Sequence, residues 1–166
     1  MNLRDLTREL HHAAEAHPFG TRMSQGDITR QEWADWLASL RCVHTKLDAH
    51  LPPFLDRRGQ ILLDLGMLLP INGTPAKAAN DLSWVSDSVS SIIGTAYIFG
   101  GAHLRGGAVM RKRLEPLGFP CNHLRYDQAK EANDYIVSLR DISYAADGAT
   151  KAFNMIIRIM DEIANR

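Results

Sequence analysis

A histidine, a carboxylate and a cation lie along one side of the first predicted helix, Leu3 to His17. At about 100° per residue, Glu15 falls roughly 40° from His11, and Arg4 falls roughly 20° from it. A carboxylate one turn from a histidine can accept its Nδ1–H, which fixes the tautomer and leaves Nε2 free as a metal ligand. The same residues also suit a surface row of charges beside an apolar stripe, so this segment alone leaves both interpretations open.

The run GGAHLRGG at residues 100–107 is the second unusual feature, because two glycine pairs flank His103 inside a helical pattern. Each glycine costs about 1 kcal/mol against alanine within a helix, so four of them require a reason. Either two helices pack with their backbones in contact, or a flat ligand lies on bare backbone where the helix bends. Histidine on one side and glycine backbone on the other is a way to hold haem iron with an open sixth position.

Composition indicates a soluble protein without nucleic-acid or membrane partners. The chain has 166 residues, and its 19 basic side chains balance 19 acidic ones, so no global field attracts nucleic acid or acidic lipid. We see no basic segment followed by an apolar one, the pattern of a signal peptide, at the N-terminus. No apolar run approaches the length of a membrane span. Cys42 and Cys121 lie far apart without a CxxC pair, which suits a reducing cytosol. We therefore expect a cytoplasmic protein.

Apolar residues recur three and four positions apart through most of the chain, which predicts one all-α domain over residues 1–166 with six to eight helices. The segment Thr29-Arg-Gln-Glu32 fits a capping box and predicts a helix that continues to Pro52. On its apolar face, His44 is interpreted as a hydrogen-bonded core residue. Further helices are predicted over Phe54 to Leu69, Ala76 to Asn80, Ser83 to about Leu114, from a cap at Asp127, and from about Ala145 to Ala164.

Most of the chain resembles the haem oxygenase family, with its motifs in the same order. The family's proximal motif, H-x-x-A-E, is matched by HHAAE at residues 11–15. The segment FGTRMSQGDITRQEW is similar to the start of the family's second helix, and LRGGAVMRKRL places Gly106-Gly107 on the glycine pair of the kinked distal helix. The C-terminal ATKAFNMIIRIMDEI resembles the family's last helix. The resemblance implies a single-domain, multihelical haem-oxygenase-like bundle.

On the proximal side, the resemblance assigns roles to residues of the first helix. His11 would be the iron ligand, Glu15 its orienting partner, and Arg4 a partner of a haem propionate. A second propionate partner is expected from a late helix. Arg140 is the candidate, with Arg125 and Lys130 as weaker ones.

On the distal side, Tyr97 matches a tyrosine near the haem edge, and Gly101, Gly106 and Gly107 would lie in the distal wall. His103 stands where animal-type members have an aspartate that organises distal water. A histidine there can hold water or donate to bound oxygen, and it can also reach the iron and close the sixth position. With His11, the residues predicted to be catalytic are thus His103, Gly106 and Gly107.

The activity implied by the resemblance is oxidative opening of haem, as substrate and cofactor, to biliverdin with release of carbon monoxide and ferrous iron. No flavin or nicotinamide fingerprint is present, so an external reductase or a ferredoxin-type protein would supply electrons. A bilin-binding photoreceptor is a candidate acceptor of the product. The main competing function is that of a non-catalytic haem sensor or carrier with His103 as sixth ligand. A thiaminase-like hydrolase using Cys42 and a helical interaction module without a ligand are two further candidates.

Overall fold

A computed structural model describes all 166 residues, and every regular element in it is a helix. The prediction of an all-α protein is confirmed. No helix is both long and apolar enough to cross a membrane. The nine α-helices are α1 Leu3–Leu6, α2 Arg8–Glu15, α3 Pro18–Gln25, α4 Arg30–Leu47, α5 Arg58–Leu68, α6 Val89–Gly101, α7 Gly107–Leu114, α8 Ala129–Leu139 and α9 Ala146–Ala164.

The predicted first helix is in fact two helices, because the chain breaks at Thr7. This residue has φ −112° and ψ 10°, and its hydroxyl donates to the carbonyl oxygen of Leu3 at 2.7 Å. Such local side-chain bonding competes with the regular helical ladder. The prediction of one continuous helix is therefore wrong: His11 and Glu15 share α2, whereas Arg4 lies on α1.

His17 begins the third helix instead of ending the first. Its Nδ1 accepts the backbone N–H of Phe19 at 3.1 Å, and its Nε2 lies 2.8 Å from Asp161 of α9. A ring nitrogen that accepts a hydrogen bond carries no proton, so Nε2 is the donor to Asp161. This cap ties the start of α3 to the last helix.

Thr29 and Glu32 form the predicted capping box at the start of α4. The amide of Glu32 donates to Thr29 Oγ1 at 3.1 Å, and the amide of Thr29 donates to Glu32 Oε2 at 2.8 Å. The helix ends at Leu47, however, and a 3₁₀ turn over Asp48–His50 precedes the proline pair. The predicted end at Pro52 is therefore too late.

Other predicted boundaries differ where 3₁₀ turns replace the first or last α-helical turn. The helix predicted to begin at Phe54 begins only at Arg58, the first residue of α5. Ser83 opens a 3₁₀ turn, and Ser88 caps α6 by accepting the amide of Ser91 at 3.1 Å. Asp127 does not cap α8, which begins without a side-chain cap. Residues 76–80 hold only the 3₁₀ turn Lys77–Ala79.

Helices α6 and α9 pack most closely in the centre of the bundle. A Cβ at Gly94 would overlap the backbone of Ala149 and would lie 2.6 Å from the carbonyl carbon of Gly148. The two backbones are therefore in direct contact. Helix α9 directs an apolar stripe toward α6 and the rest of the core, with the period of one helix face. Its buried residues include Ala149, Ala152, Phe153, Ile156, Ile159, Met160 and Ile163.

Candidate functional site

Helices α6 and α7 are joined by one π-helical segment, Ala102–Gly106. The amide of Gly107 donates to the carbonyl oxygen of Ala102, five residues earlier. A π turn contains an additional residue, so positions five apart come closer to one face than they do in an α-helix. We call residues 100–107 the distal segment. The predicted bend at the glycines is thus a change of helix type.

One glycine of each pair packs against a neighbouring side chain. A Cβ at Gly100 would overlap the side chain of Ile136 on α8, and a Cβ at Gly107 would lie 2.8 Å from Leu124 Cδ2. These two glycines allow the distal segment to approach the elements behind it. The first explanation from sequence, close packing, therefore applies to Gly100 and Gly107.

The other glycine of each pair faces open space. A Cβ at Gly101 or at Gly106 would meet nothing within 4 Å, and Gly106 is exposed. Ala102, which lies between them in the sequence, is also exposed and adds only a methyl group. Tyr97, one turn before Gly101 on α6, is half-buried against the core. The second explanation, a bare surface for a flat ligand, therefore fits Gly101 and Gly106.

His11 presents an open imidazole on α2. Its side chain is 55% exposed, and Nδ1 lies 3.5 Å from Oε2 of Glu15, at the outer limit of a hydrogen bond. The ring lies edge-on to Phe153 of α9, with 5.9 Å between ring centroids. This position leaves Nε2 free to meet a ligand. His12 is also exposed, with its ring centroid 6.2 Å from that of His11.

Helix α2, which carries His11, and helices α6 and α7, which flank the distal segment, pack against common neighbours. Helix α2 packs against α9, which is also the main partner of α6, and α3 packs against α7. A groove of about 760 Å³ beside α1 and α2 also includes Thr150 of α9, but none of the distal glycines lines it. The predicted proximal wall at His11 and the predicted distal wall at the glycines therefore adjoin common helices. They do not form a closed pocket.

Arg140 lies beside the start of α1. The amide of Leu3 donates to the carbonyl oxygen of Arg140 at 2.7 Å, which brings the neighbouring Arg4 to the same end of the bundle. The Nε of Arg140 is buried without a partner in the protein, as expected where an anion completes the site. The weaker candidates already have partners, in the ion pairs Arg125–Glu115 at 2.8 Å and Lys130–Asp134 at 2.6 Å.

His103 faces the core and not the open side of the distal segment. It is 6% exposed, and its Nε2 lies 2.9 Å from Nε2 of His44 on α4. Nδ1 of His44 in turn lies 2.8 Å from Oδ1 of Asp48. His44 is the hydrogen-bonded core residue that its position suggested. Because Nε2 of His103 is engaged within the core, the structure disfavours this residue as a sixth iron ligand.

A second buried histidine–aspartate pair, His123 and Asp64, adjoins the pair His44 and Asp48, and the sequence analysis missed it. The ring centroid of His123 lies 5.6 Å from that of His103, and Nδ1 of His123 lies 2.7 Å from Asp64 Oδ2. Arg57, also buried, lies with its guanidinium carbon 3.9 Å from the ring centroid of Tyr126. The four-residue spacing of His44 and Asp48 was a detectable signal, whereas 59 residues separate Asp64 from His123 and leave none.

His103 and His123 are held uncharged in the interior of the protein. Burial lowers the pKa of His103 well below its ordinary value, and the neighbouring basic residues His44, His123 and Arg57 lower it further. Burial also lowers the pKa of His123, although its hydrogen bond to Asp64 partly offsets the effect. Both rings are therefore neutral near pH 7.

A small cavity of about 10 Å³ lies beside the cluster, among ten residues that include His44, Asp48, Gly100, His103 and Tyr126. This volume suits one water molecule and excludes a macrocycle. A flat ligand at the distal segment would therefore have to lie on its outer side.

Neither protein-family models nor curated protein sequences match this chain. Solved structures do. Haem oxygenase-2 from Synechocystis sp. PCC 6803, in complex with haem and NO, matches with a TM-score of 0.81 at 22% identity, over 98% of this chain and 84% of that one. The chain has the haem oxygenase fold.

Two further structures share the haem oxygenase fold with this chain. Haem oxygenase-1 from Synechocystis sp. PCC6803, in complex with haem, matches with a TM-score of 0.74 at 16% identity, over 98% of this chain and 89% of that one. Haem oxygenase from Leptospira interrogans matches with a TM-score of 0.77 at 18% identity, over 99% and 97% of the two chains. The predicted haem-oxygenase-like bundle is confirmed at the level of fold.

Proposed function

We propose that this protein is a haem oxygenase, which opens the haem ring to biliverdin and releases carbon monoxide and ferrous iron. The observation that carries the proposal is the bare backbone at Gly101 and Gly106, on a π segment of a haem oxygenase fold. Two structures of that fold are complexes with haem, which supports haem as the ligand.

The residues present fit haem in three respects. A planar macrocycle requires a wall without side chains, which Gly101 and Gly106 provide. Iron requires an available imidazole, which the half-exposed His11 provides. The propionates require cations, and Arg140 has a buried Nε without a partner in the protein.

Bound haem would supply both the iron that activates oxygen and the ring that is oxidised. His11 would hold the iron through Nε2, and Glu15 would accept its Nδ1–H and orient the ring. Arg4 and Arg140 would fix the propionates, and Tyr97 would lie near the haem edge. Gly101 and Gly106 would leave space beside the ring, while Gly107 keeps the distal segment close to the helices behind it.

The electrons would come from a separate protein, a reductase or a ferredoxin-type donor, since the sequence carries no dinucleotide fingerprint. We place the protein in the cytoplasm, where its two unpaired cysteines, Cys42 and Cys121, remain reduced. A bilin-binding photoreceptor is the partner that we propose for the product.

The competing function of a haem sensor or carrier closed by His103 requires an imidazole nitrogen aimed at the iron. The hydrogen bond between Nε2 of His103 and Nε2 of His44 does not favour it. Spectroscopy separates the two functions, because ferric haem held by two histidines is low-spin.

The experiment that tests the proposal is aerobic incubation of the haem-loaded protein with a ferredoxin, its reductase and NADPH, followed by extraction of the pigment. We expect biliverdin from the wild type. Recovery of unchanged haem, despite a fully reduced donor, would overturn the proposal.

A further inference from the structure

We propose that the outer side of α5 binds a second copy of this chain, so that the protein forms a homodimer with two antiparallel α5 helices at its centre. The inference goes beyond the proposed function and does not depend on it. The surface, which we call the α5 face, consists of six exposed residues on α5 and at its C-terminal end: Gly59, Leu62, Leu63, Gly66, Met67 and Leu69.

The α5 face concentrates apolar side chains in contact with solvent. Four of the ten large apolar side chains that the protein exposes lie within eight consecutive residues of this face, and each is between 48% and 64% exposed. At about 100° per residue, Leu62, Leu63 and Met67 lie within roughly 140° of one another around the helix. Single exposed apolar residues are ordinary, whereas a contiguous set of them marks an interaction surface.

No charged side chain interrupts the α5 face, although charged residues make up 23% of the chain. Asp64 is the only charged residue between positions 59 and 76, and it is fully buried. Its carboxylate points inward, where it accepts the amide of Asn122 at 2.9 Å and the amide of His123 at 3.0 Å. Covering this surface therefore removes no charge from water, in keeping with the depletion of charged residues at interface cores.

The two glycines of the α5 face serve no packing contact within one chain. A Cβ at Gly59 or at Gly66 would meet nothing within 4 Å, whereas a Cβ at Gly94 would overlap the backbone of α9. Glycine is less favourable than alanine within a helix, so these two positions need an explanation. A second helix packed against the bare backbone supplies it, because a missing side chain allows two helices to approach closely.

The order of residues on the α5 face reads the same in both directions, which favours a second copy as the occupant. Gly59, Leu62, Leu63 and Gly66 form the pattern G-x-x-L-L-x-x-G, whose centre lies between the two leucines. A two-fold interface joins the same patch on both subunits, so that patch must be complementary to itself. Antiparallel pairing about the centre places Gly59 of one copy opposite Gly66 of the other, with the leucines between. A partner of another sequence would impose no such symmetry.

The area of the α5 face fits the core of a modest dimer interface. Its four apolar side chains together expose the equivalent of about two whole residues, on the order of 400 Å². A stable interface buries about 800 Å² on each partner, with an apolar core and a polar rim. The ion pair between Arg58 and Asp56, at 2.6 Å, lies at the N-terminal end of α5 as part of such a rim. We therefore expect a reversible dimer with a Kd on the order of 1–100 μM.

The direct test is sedimentation velocity of the haem-free full chain at concentrations from about 1 to 500 μM, which bracket that Kd. We expect the mass to rise from that of one chain to that of two. Leu63→Glu should raise the Kd by more than about tenfold, because it places two like charges at the centre of the pair. Val89→Glu is the matched control, since Val89 is 65% exposed outside the α5 face, and it should dimerise like the wild type. A monomeric wild type throughout, or equal weakening in Val89→Glu, would overturn the inference.

Gly66→Leu separates the requirement of the dimer from that of the single chain. Its side chain enters open space in one chain, so urea unfolding at concentrations below the Kd should show stability that is unchanged or higher. The dimer should nevertheless weaken by more than about tenfold, because the new side chain fills the space of the second helix. Dimerisation of Gly66→Leu like the wild type would overturn the packing of helix against bare backbone.

Cysteine cross-linking tests the antiparallel arrangement. Gly59→Cys chains mixed with Gly66→Cys chains, both with Cys42→Ser to remove the half-buried native thiol, should form disulfide-linked dimers on mild oxidation. Each variant alone should not, because the two copies of one position lie roughly 10 Å apart along the helix axis. Cross-linking of each variant alone would indicate a parallel pair and overturn the arrangement. Monomers that sediment with phosphatidylcholine vesicles, but not as Leu63→Glu, would assign the α5 face to a membrane and overturn the inference.

Discussion

Nε2 of His44 lies 2.9 Å from Nε2 of His103, which links the middle of α4 directly to the distal segment. Two imidazoles can share a hydrogen bond only when one donates and the other accepts. The positions of the protons on the two rings are therefore coupled. It also holds His103 away from the open side, where Gly101 and Gly106 face free space.

The buried histidines should make stability depend on pH. The pKa values of His103 and His123 are lowered by burial, so below about pH 6.5 the unfolded chain binds protons that the folded protein does not. The free energy of unfolding should therefore fall as pH is lowered, by up to about 1.4 kcal/mol per pH unit for each histidine. Urea unfolding between pH 7.5 and 5.5 measures this slope. A flat profile would contradict neutral burial of the two rings.

Alanine substitutions at Gly106 and at Gly94 should have different effects on the free energy of unfolding. Gly106→Ala places a Cβ in open space, so we expect stability to be unchanged or raised by up to about 1 kcal/mol. Haem turnover should nevertheless fall, or the biliverdin isomer should change. Gly94→Ala overlaps the backbone of α9 and should destabilise the fold by about 1–3 kcal/mol or more. Urea unfolding and chromatography of the pigment distinguish the two effects. Equal destabilisation by both substitutions would show that Gly106 is also a packing residue.

His11→Ala should remove the axial bond and abolish turnover without loss of helix, because the side chain is more than half exposed. Circular dichroism checks the fold, and the Soret band of the haem complex reports the axial ligand. His12→Ala is the matched control, since this neighbouring ring is also exposed, and it should retain the wild-type spectrum. An unchanged Soret band in His11→Ala, or its loss in His12→Ala, would show that the ligand is another residue.

Arg140→Ala should weaken haem binding by about 10- to 150-fold, because a hydrogen bond to a charged group contributes roughly 1.5–3 kcal/mol. Arg4→Ala should have a smaller effect, since Arg4 is exposed and solvent screens its charge. Titration with haemin, followed in the Soret region, measures both. Arg125→Ala is the control, because Arg125 already pairs with Glu115 at the surface. A loss of affinity in Arg125→Ala equal to that in Arg140→Ala would indicate a nonspecific effect of charge.

The helical fold was largely predictable because its signals are local. The capping box at Thr29 and Glu32 and the apolar period of α9 are encoded within a few residues. Boundaries failed where local hydrogen bonds compete with the helix, as at Thr7, whose hydroxyl bonds to the carbonyl oxygen of Leu3 and breaks the first helix. A capping residue whose partner is distant in the sequence, as Asp161 is for His17, cannot be recognised from the residues around it.

The candidate site was predictable only in part. His11 and the distal glycines stand in recognisable motifs, but the division between packed and open glycines depends on Ile136 and Leu124, which are distant in sequence. The side to which His103 points depends on its partner on α4, 59 positions earlier. Residue type and helical period carry no information about such partners.

The central claim is that haem is consumed and not only bound. Its most direct test is the carbon monoxide released from haem labelled with carbon-13 at the meso positions, in the presence of an electron donor and of catalase to remove hydrogen peroxide. We predict labelled carbon monoxide in equal amount to biliverdin, and none from His11→Ala. A stable haem complex that releases no labelled carbon monoxide under full reduction would contradict the account.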